Sequence, residues 1–243
     1  MKLSEAYPIC KTAVNQPFIN LFNDFSKEEI ILNKGKVGQL MEKYCGLKLS
    51  NTNKDFEDGE LKTSEIKEST QITMITHWID EIIHGNPLEF EETLLFKKIE
   101  NMIFMPLVKP SEDPLTWYFE SCIYIPVKKG SYLYSQIKDD YEKICTLAHQ
   151  QVYKKNASSY PDMKIGRKVA TKDYIGDGFL HTTSGKFIQI RTKDAGGIKS
   201  KPIFSGYLNR NVTKVSRMAF YFLASFKKYT EKLEKKPSAE YES

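Results

Sequence analysis

A chain of 243 residues with 40% hydrophobic and 28% charged side chains can bury a core for one large domain, and such a composition excludes disorder throughout. No apolar run approaches the roughly 18 residues needed to span a bilayer. Met1 to Val14, interrupted by Lys2, Glu5 and Lys11, has no apolar stretch like that of a secretory signal, so a cytoplasmic protein with no membrane partner is expected. The net charge of +5 hides an asymmetry: Lys164 to Arg217 carries 12 Lys/Arg against three Asp, an excess of nine, and the rest of the chain sums to −4. A basic segment rich in Gly, Tyr and Phe suits a polyanion, nucleic acid first; the alternative is a solvated basic face with no partner.

In chain order, the apolar residues of Phe18 to Phe25 predict a short amphipathic helix, and Ser26-Lys27-Glu28-Glu29 reads as a capping-box start to another. Asn33-Lys34-Gly35 reads as a turn. Val37, Leu40, Met41 and Tyr44 follow at helical spacing, with Gly46 suited to the helix end and Glu42 on the helix. Leu49 to Lys54 is a polar loop. Strands are predicted over Gly59 to Ile66 and Gln71 to Thr76, and a helix over His77 to His84. Asn101 to Val108 reads as a buried strand with Pro106 near its end, and Ser121 to Val127 as another. Ile137 to Tyr153 is predicted helical, Phe187 to Arg191 a strand, and Val212 to Phe226 a late helix with an aromatic stripe in the core. A charged tail from Lys232 is expected to fray. Helices mixed with several strands indicate an α/β domain with a mixed sheet.

Four cysteines (Cys10, Cys45, Cys122 and Cys145) lie far apart without a CxxC pair and read as buried free thiols. None of the four histidines sits at zinc-ligand spacing with a cysteine. The chemistry concentrates instead in Asp55-Phe56-Glu57-Asp58-Gly59-Glu60-Leu61-Lys62-Thr63. On a strand, Glu60 and Lys62 project side by side while Leu61 turns to the core. A bend that Gly59 permits can return Asp55 to the same spot. Two carboxylates held together make a hard-oxygen site suited to Mg²⁺, whose binding relieves their repulsion. Such a metal neutralises a phosphate oxygen and activates water, and an adjacent lysine orients that water or stabilises the pentacovalent transition state. Glu57 and Asp58 sit in the bend and are expected to point outward.

Asp followed by Glu-x-Lys on a strand is the pattern of the PD-(D/E)xK nucleases, and the resemblance is wider than that motif. Lys34-Gly35-Lys36-Val37-Gly38-Gln39-Leu40-Met41-Glu42 resembles the helix before the catalytic strand in the MutH family, which comprises the mismatch-repair nicking enzyme and related type II restriction endonucleases, among them the GATC-cutting Sau-type enzymes. Gly59-Glu60-Leu61-Lys62-Thr63 resembles the family's Glu-Leu-Lys-Thr strand, and Glu100 to Pro106 its strand ending in Ile-Pro. Gly185 to Lys193 resembles its Gly-x-x-Leu-Gln-Ile-Arg-Pro-Lys segment, and Tyr207 to Thr213 its Tyr-Leu-Lys-Lys-Asn-Phe-Thr segment. The chain departs from the family in three places. The gap between Asp55 and Glu60 is shorter than in the mismatch-repair enzyme and resembles that of the monomeric enzymes cutting pentanucleotide sites. Thr192 replaces a proline, and Gly206 stands where an aromatic is common.

The resemblance implies a restriction-endonuclease-like mixed sheet flanked by helices, with two lobes around a DNA cleft. Residues 1–160 would form the catalytic lobe, 161–231 the DNA-recognition lobe and 232–243 a frayed tail. It implies Asp55, Glu60 and Lys62 as the catalytic triad, with Asp55 and Glu60 on the metal. It adds Glu42 as an outer carboxylate and Lys98 as an auxiliary cation, although the Lys97-Lys98 pair leaves the register open. For DNA, Arg191 and Lys193 can reach guanine or phosphate, Asp194 can accept from cytosine, and Gly196 and Gly197 let backbone approach the duplex. Tyr207 resembles a family residue near the methylatable adenine. Lys199, Lys201, Arg210, Lys214 and Arg217 read as phosphate contacts. The expected activity is that of a Mg²⁺-dependent type II restriction endonuclease on double-stranded DNA, with GATC as the expected site. It would act as a monomer or DNA-induced dimer, beside a cognate DNA methyltransferase. Two alternatives are a MutH-type strand-nicking repair endonuclease and a catalytically silent DNA-binding module of the same fold.

Overall fold

The structure, a computed structural model, describes residues 1–33, 36–47, 54–75, 82, 89–153, 163–164, 182–192, 203–205, 210–212 and 218–234. The first elements are α1 (Leu3–Thr12), α2 (Phe18–Leu21), α3 (Lys27–Leu32), α4 (Val37–Tyr44), β1 (Glu60–Ser64) and β2 (Thr70–Ile75). There follow α5 (Leu94–Ile99), β3 (Asn101–Val108), β4 (Tyr118–Phe119), β5 (Ile123–Pro126) and α6 (Tyr132–Tyr153). The last are β6 (Met163–Lys164), β7 (Thr182–Ser184), β8 (Ile188–Thr192), β9 (Ile203–Ser205), β10 (Arg210–Val212), β11 (Met218–Phe222) and α7 (Ala224–Glu234). The chain is thus a mixed α/β protein. Among the described residues no helix is long and apolar enough to cross a membrane.

By packing the chain divides into two units. One comprises Met1–Thr70, Lys98–Lys128 and Lys227–Ser243; the other comprises Gln71–Lys97 and Lys129–Phe226. Both are discontinuous in sequence, unlike the consecutive segments 1–160, 161–231 and 232–243 expected from the resemblance. In the first unit β3 is central. It pairs in parallel with β1 on one side and antiparallel with β4 and β5 on the other. Every β3 side chain from Met102 to Leu107 is buried, as expected of a strand covered on both faces. Helices α1 to α4 pack their apolar residues against this sheet, with Phe18, Phe22, Leu40, Met41, Leu61 and Phe119 in one core.

Helix α3 starts as its sequence predicts, with Ser26 Oγ accepting the Glu29 amide at 3.1 Å. Helix α4 ends in a Schellman motif. Gly46 lies at φ +78°, its amide donates to the Lys43 carbonyl at 2.8 Å, and the Leu47 amide donates to the Glu42 carbonyl at 3.0 Å. The sequence reading assigned no element to α1, whose apolar positions Leu3, Ala6 and Cys10 keep helical spacing but are interrupted by Pro8. The predicted helix over His77 to His84 lies outside the described residues except for Ile82, which is buried.

The second unit holds a sheet ordered β2-β11-β8-β7-β6, with β9 and β10 as a separate antiparallel pair. Two sequence expectations are corrected here. Val212 to Phe226 is not one helix: Met218–Phe222 forms β11, antiparallel to β8, and the helix begins only at Ala224. All five β11 side chains are buried. A strand covered on both faces shows no alternation and cannot be told from a buried helix by periodicity alone. The helix also continues past Lys232, where the charged tail was expected to begin: α7 runs to Glu234 and buries Leu233, and residues 235–243 lie outside the described residues.

Buried Asp140 of α6 organises the approach to β8. Its carboxylate accepts the amides of Lys186 (2.8 Å), Phe187 (2.5 Å) and Ile188 (3.1 Å). A Cβ at Gly185 would collide with that carboxylate, which explains the glycine at the head of the Gly185 to Arg191 segment.

Candidate active site

Strand β1 lies beside β3 with Glu60 opposite Met102 and Lys62 opposite Phe104. Alternation along it sends Leu61 into the core and leaves Glu60, Lys62 and Ser64 on the other face. Glu60 is nevertheless fully buried, at 0% exposure. A buried carboxylate is costly unless both oxygens are satisfied. Lys62 Nζ donates to Glu60 Oε2 at 2.6 Å, and Lys98 Nζ donates to Oε1. Lys98 comes from α5, whose start is capped by Thr93 Oγ1 accepting the Phe96 amide at 3.0 Å. The helix phase resolves the Lys97-Lys98 ambiguity, since Lys97 is exposed and Lys98 turns inward to Glu60.

Asp55 reaches the same place through the Phe56 to Gly59 turn, closed by the Phe56 amide on the Gly59 carbonyl at 3.0 Å and anchored by the buried Phe56 ring. Asp55 Oδ2 accepts the Leu61 amide at 2.9 Å, which fixes the carboxylate against β1. Gly59 is needed there for space rather than for a positive φ. An added Cβ would collide with Leu3 and lie 2.7 Å from the Asn101 carbonyl oxygen. Glu57 and Asp58 point away, as expected. Glu57 binds the N-terminal amine at 2.6 Å, and Asp58 accepts the Leu3 amide at 2.7 Å, placing negative charge at the start of α1.

Glu42 is half-buried on α4. One turn before it, Gly38 faces β1, where an added Cβ would lie 3.6 Å from Thr63 Oγ1. Burial first, then the charges of Asp55 and Glu60, push the Glu42 carboxyl up to about 7, against the pull of Lys62 and Lys98. Burial also raises Glu60; Lys62 opposes that shift and the neighbouring Asp55 carboxyl adds to it. Three carboxylates and two ammoniums therefore act on one another in one place, all drawn from the first unit. Strongly perturbed carboxyls of this kind mark functional sites more often than ordinary surface. Among the described residues no three His, Cys, Asp or Glu side chains stand at metal-coordinating geometry. Both Glu60 oxygens are instead engaged by lysines.

Of the expected DNA-binding residues, Arg191 is described. Its guanidinium lies 4.0 Å from the centroid of the Tyr221 ring, across the β8–β11 pair. Arg210 is placed on β10 by its backbone. Lys193, Asp194, Gly196, Gly197, Lys199, Lys201, Tyr207, Lys214 and Arg217 lie outside the described residues. The sequence reading passed over Tyr221 as one of a core stripe; once β11 is seen as a strand antiparallel to β8, its ring falls within reach of Arg191. It also passed over Lys227, a lysine with 1% exposure. Nothing in a mixed Phe-Lys-Lys-Tyr stretch distinguishes that lysine from its exposed neighbour Lys228.

Compared with known proteins, the chain matches no family model, and no curated protein matches it either.

Proposed function

We propose that this chain is a Mg²⁺-dependent endonuclease of the restriction-endonuclease-like, PD-(D/E)xK fold, hydrolysing double-stranded DNA at a short specific site as a type II restriction enzyme. One observation carries the reading: a fully buried Glu60 gripped by Lys62 and Lys98, with Asp55 fixed beside it and Glu42 pushed up to about 7. The donor set fits the ion. Asp55 and Glu60 would hold it and Glu42 would stand as an outer carboxylate, all hard oxygens whose mutual repulsion a cation relieves. When bound, Mg²⁺ neutralises a non-bridging phosphate oxygen and supplies an activated water. Lys62 stabilises negative charge building on the phosphate, and Lys98 keeps the Glu60 carboxylate in one orientation. The basic segment from Lys164 to Arg217 supplies phosphate contacts, and Arg191 a candidate base contact. Five ionisable groups gathered around Glu60 and acting on one another through their charges argue against a silent binding module.

The proposed target is GATC. The test is a digest of adenine-methylated and unmethylated DNA with Mg²⁺ or with a chelator, followed by mapping of the ends. The expected product has defined ends bearing 5′-phosphates, formed only with the metal. Ends at another sequence refute GATC, nicks in place of double-strand breaks favour the repair-type alternative, and uncut DNA under all divalent cations removes the nuclease reading.

A further inference from the structure

Lysine is seldom buried without a carboxylate partner. Lys227 of α7 is buried, and its ammonium donates to Ser64 Oγ (2.9 Å), the Glu65 carbonyl (2.5 Å) and Thr70 Oγ1 (3.1 Å). Two hydroxyls and a carbonyl thus take all three protons that an ammonium offers. Ser64 and Thr70 are themselves hydrogen-bonded at 2.5 Å, which ties the end of β1 to the start of β2. Lys227 Nζ also lies 5.8 Å from the centroid of Phe104, the residue opposite Lys62 in the β1–β3 register. Ser64 shares a strand face with Lys62, two residues on. Lys227 therefore touches both the along-strand and the cross-strand neighbour of Lys62, and all of these residues belong to the first unit. A methionine of similar length would fill the volume without the cost of burying charge. What the ammonium adds is fixed placement of three oxygens and, through Ser64, of the face carrying Glu60 and Lys62.

We infer that Lys227 is a positioning residue for Lys62, acting through Ser64 and the β1–β2 connection. The inference rests on the nuclease reading of the Glu60 and Lys62 site. The test compares the wild type with Lys227→Met in single-turnover cleavage with Mg²⁺, and in duplex affinity with Ca²⁺ in its place. A displacement near 1 Å at a reacting group costs on the order of 10²-fold. Cleavage is expected to slow by about 10–100-fold while the affinity stays within about two-fold of the wild type. An unchanged rate, or equal loss of rate and affinity, overturns the inference. If Lys227→Met does not fold, Ser64→Ala combined with Thr70→Val carries the same comparison, with the same pattern expected and the same results overturning it. Acetic anhydride labelling of Lys62, counted by peptide mass against Lys54, gives a readout independent of activity. Faster labelling of Lys62 in the variant is expected, and unchanged labelling overturns the inference. A wild type that cuts nothing removes the nuclease reading, and the labelling then still decides whether Lys227 positions Lys62.

Discussion

Lys98 donates a hydrogen bond to Oε1 of Glu60, joining α5 to β1 across 38 residues of sequence. With Lys62 on Oε2, the carboxylate cannot rotate without losing an ammonium in a buried setting. Removing one partner of such a group is much more damaging than removing a surface ion pair. Lys98→Met is therefore expected to lower cleavage by about 10²-fold, the size of effect that a displacement near 1 Å at a reacting group has. Lys97→Met, which alters the exposed neighbour, should leave the rate near that of the wild type. Single-turnover rates for the two variants check this, and equal effects would mean that helix phase does not select the lysine.

Asp55→Ala and Glu60→Ala are each expected to abolish Mg²⁺-dependent cleavage while leaving duplex binding largely intact, because neither carboxylate belongs to the basic segment. Lys62→Ala should lose activity through lost charge stabilisation and keep its metal dependence. Rates and duplex affinities measured across a Mg²⁺ titration separate the cases. Wild-type cutting by either carboxylate variant removes the assigned centre, and normal turnover by Lys62→Ala removes that lysine from the chemistry.

How much of this could be read from the sequence depended on the period of each segment. Glu60 and Lys62 were legible because a strand places residues two apart on one face, and Asp55 because a short turn was the only local route back to them. The burial of Glu60 was not legible, since it depends on α5, whose six residues are too few for periodicity to set its phase. Strand β11 was misread for a related reason: five consecutive buried side chains carry neither a period of 2 nor one of 3.6. The α4 end was legible in full, because Gly46 alone suits the left-handed residue of the Schellman turn.

Lys227 also predicts a pH dependence of stability. Burial lowers its ammonium from the usual 10.5 to about 8, while the nearby Glu68 and Glu65 charges oppose the shift. Below pH 8 the group is charged in both the folded and unfolded states, and folding bears the full cost of burying it. Between about 8 and 10.5 the unfolded chain binds more protons than the folded one, so this group's contribution makes stability rise with pH. The gain is at most about 3 kcal/mol. Ionisations elsewhere in the chain are shared by the wild type and Lys227→Met, so the informative quantity is the difference between the two in urea unfolding at pH 7.5, 9 and 10.5. The wild type should gain on the variant at each step, and parallel curves would show that burial does not perturb this lysine.

The final prediction separates residues that position the DNA from those that read it. Each phosphate neutralised releases counterions, so Lys214→Ala or Arg217→Ala should weaken binding about equally on target and random duplexes and flatten the salt dependence by about one unit of slope. Arg191 has an aromatic neighbour. Stacking on Tyr221 holds one face of its guanidinium and restricts the side chain before any DNA arrives. Arg191→Ala and Lys193→Ala should each cost about 1–3 kcal/mol, mostly on target DNA. Tyr221→Leu removes the stacking face and should reproduce part of the Arg191→Ala loss on target DNA, whereas Tyr221→Phe keeps the ring and should bind like the wild type. Affinity measured against salt on both duplexes for all six variants is the check. If Arg191→Ala loses target and random binding equally, β8 is not the reader. If Tyr221→Leu then matches the wild type, the stacked ring is a packing contact with no part in recognition.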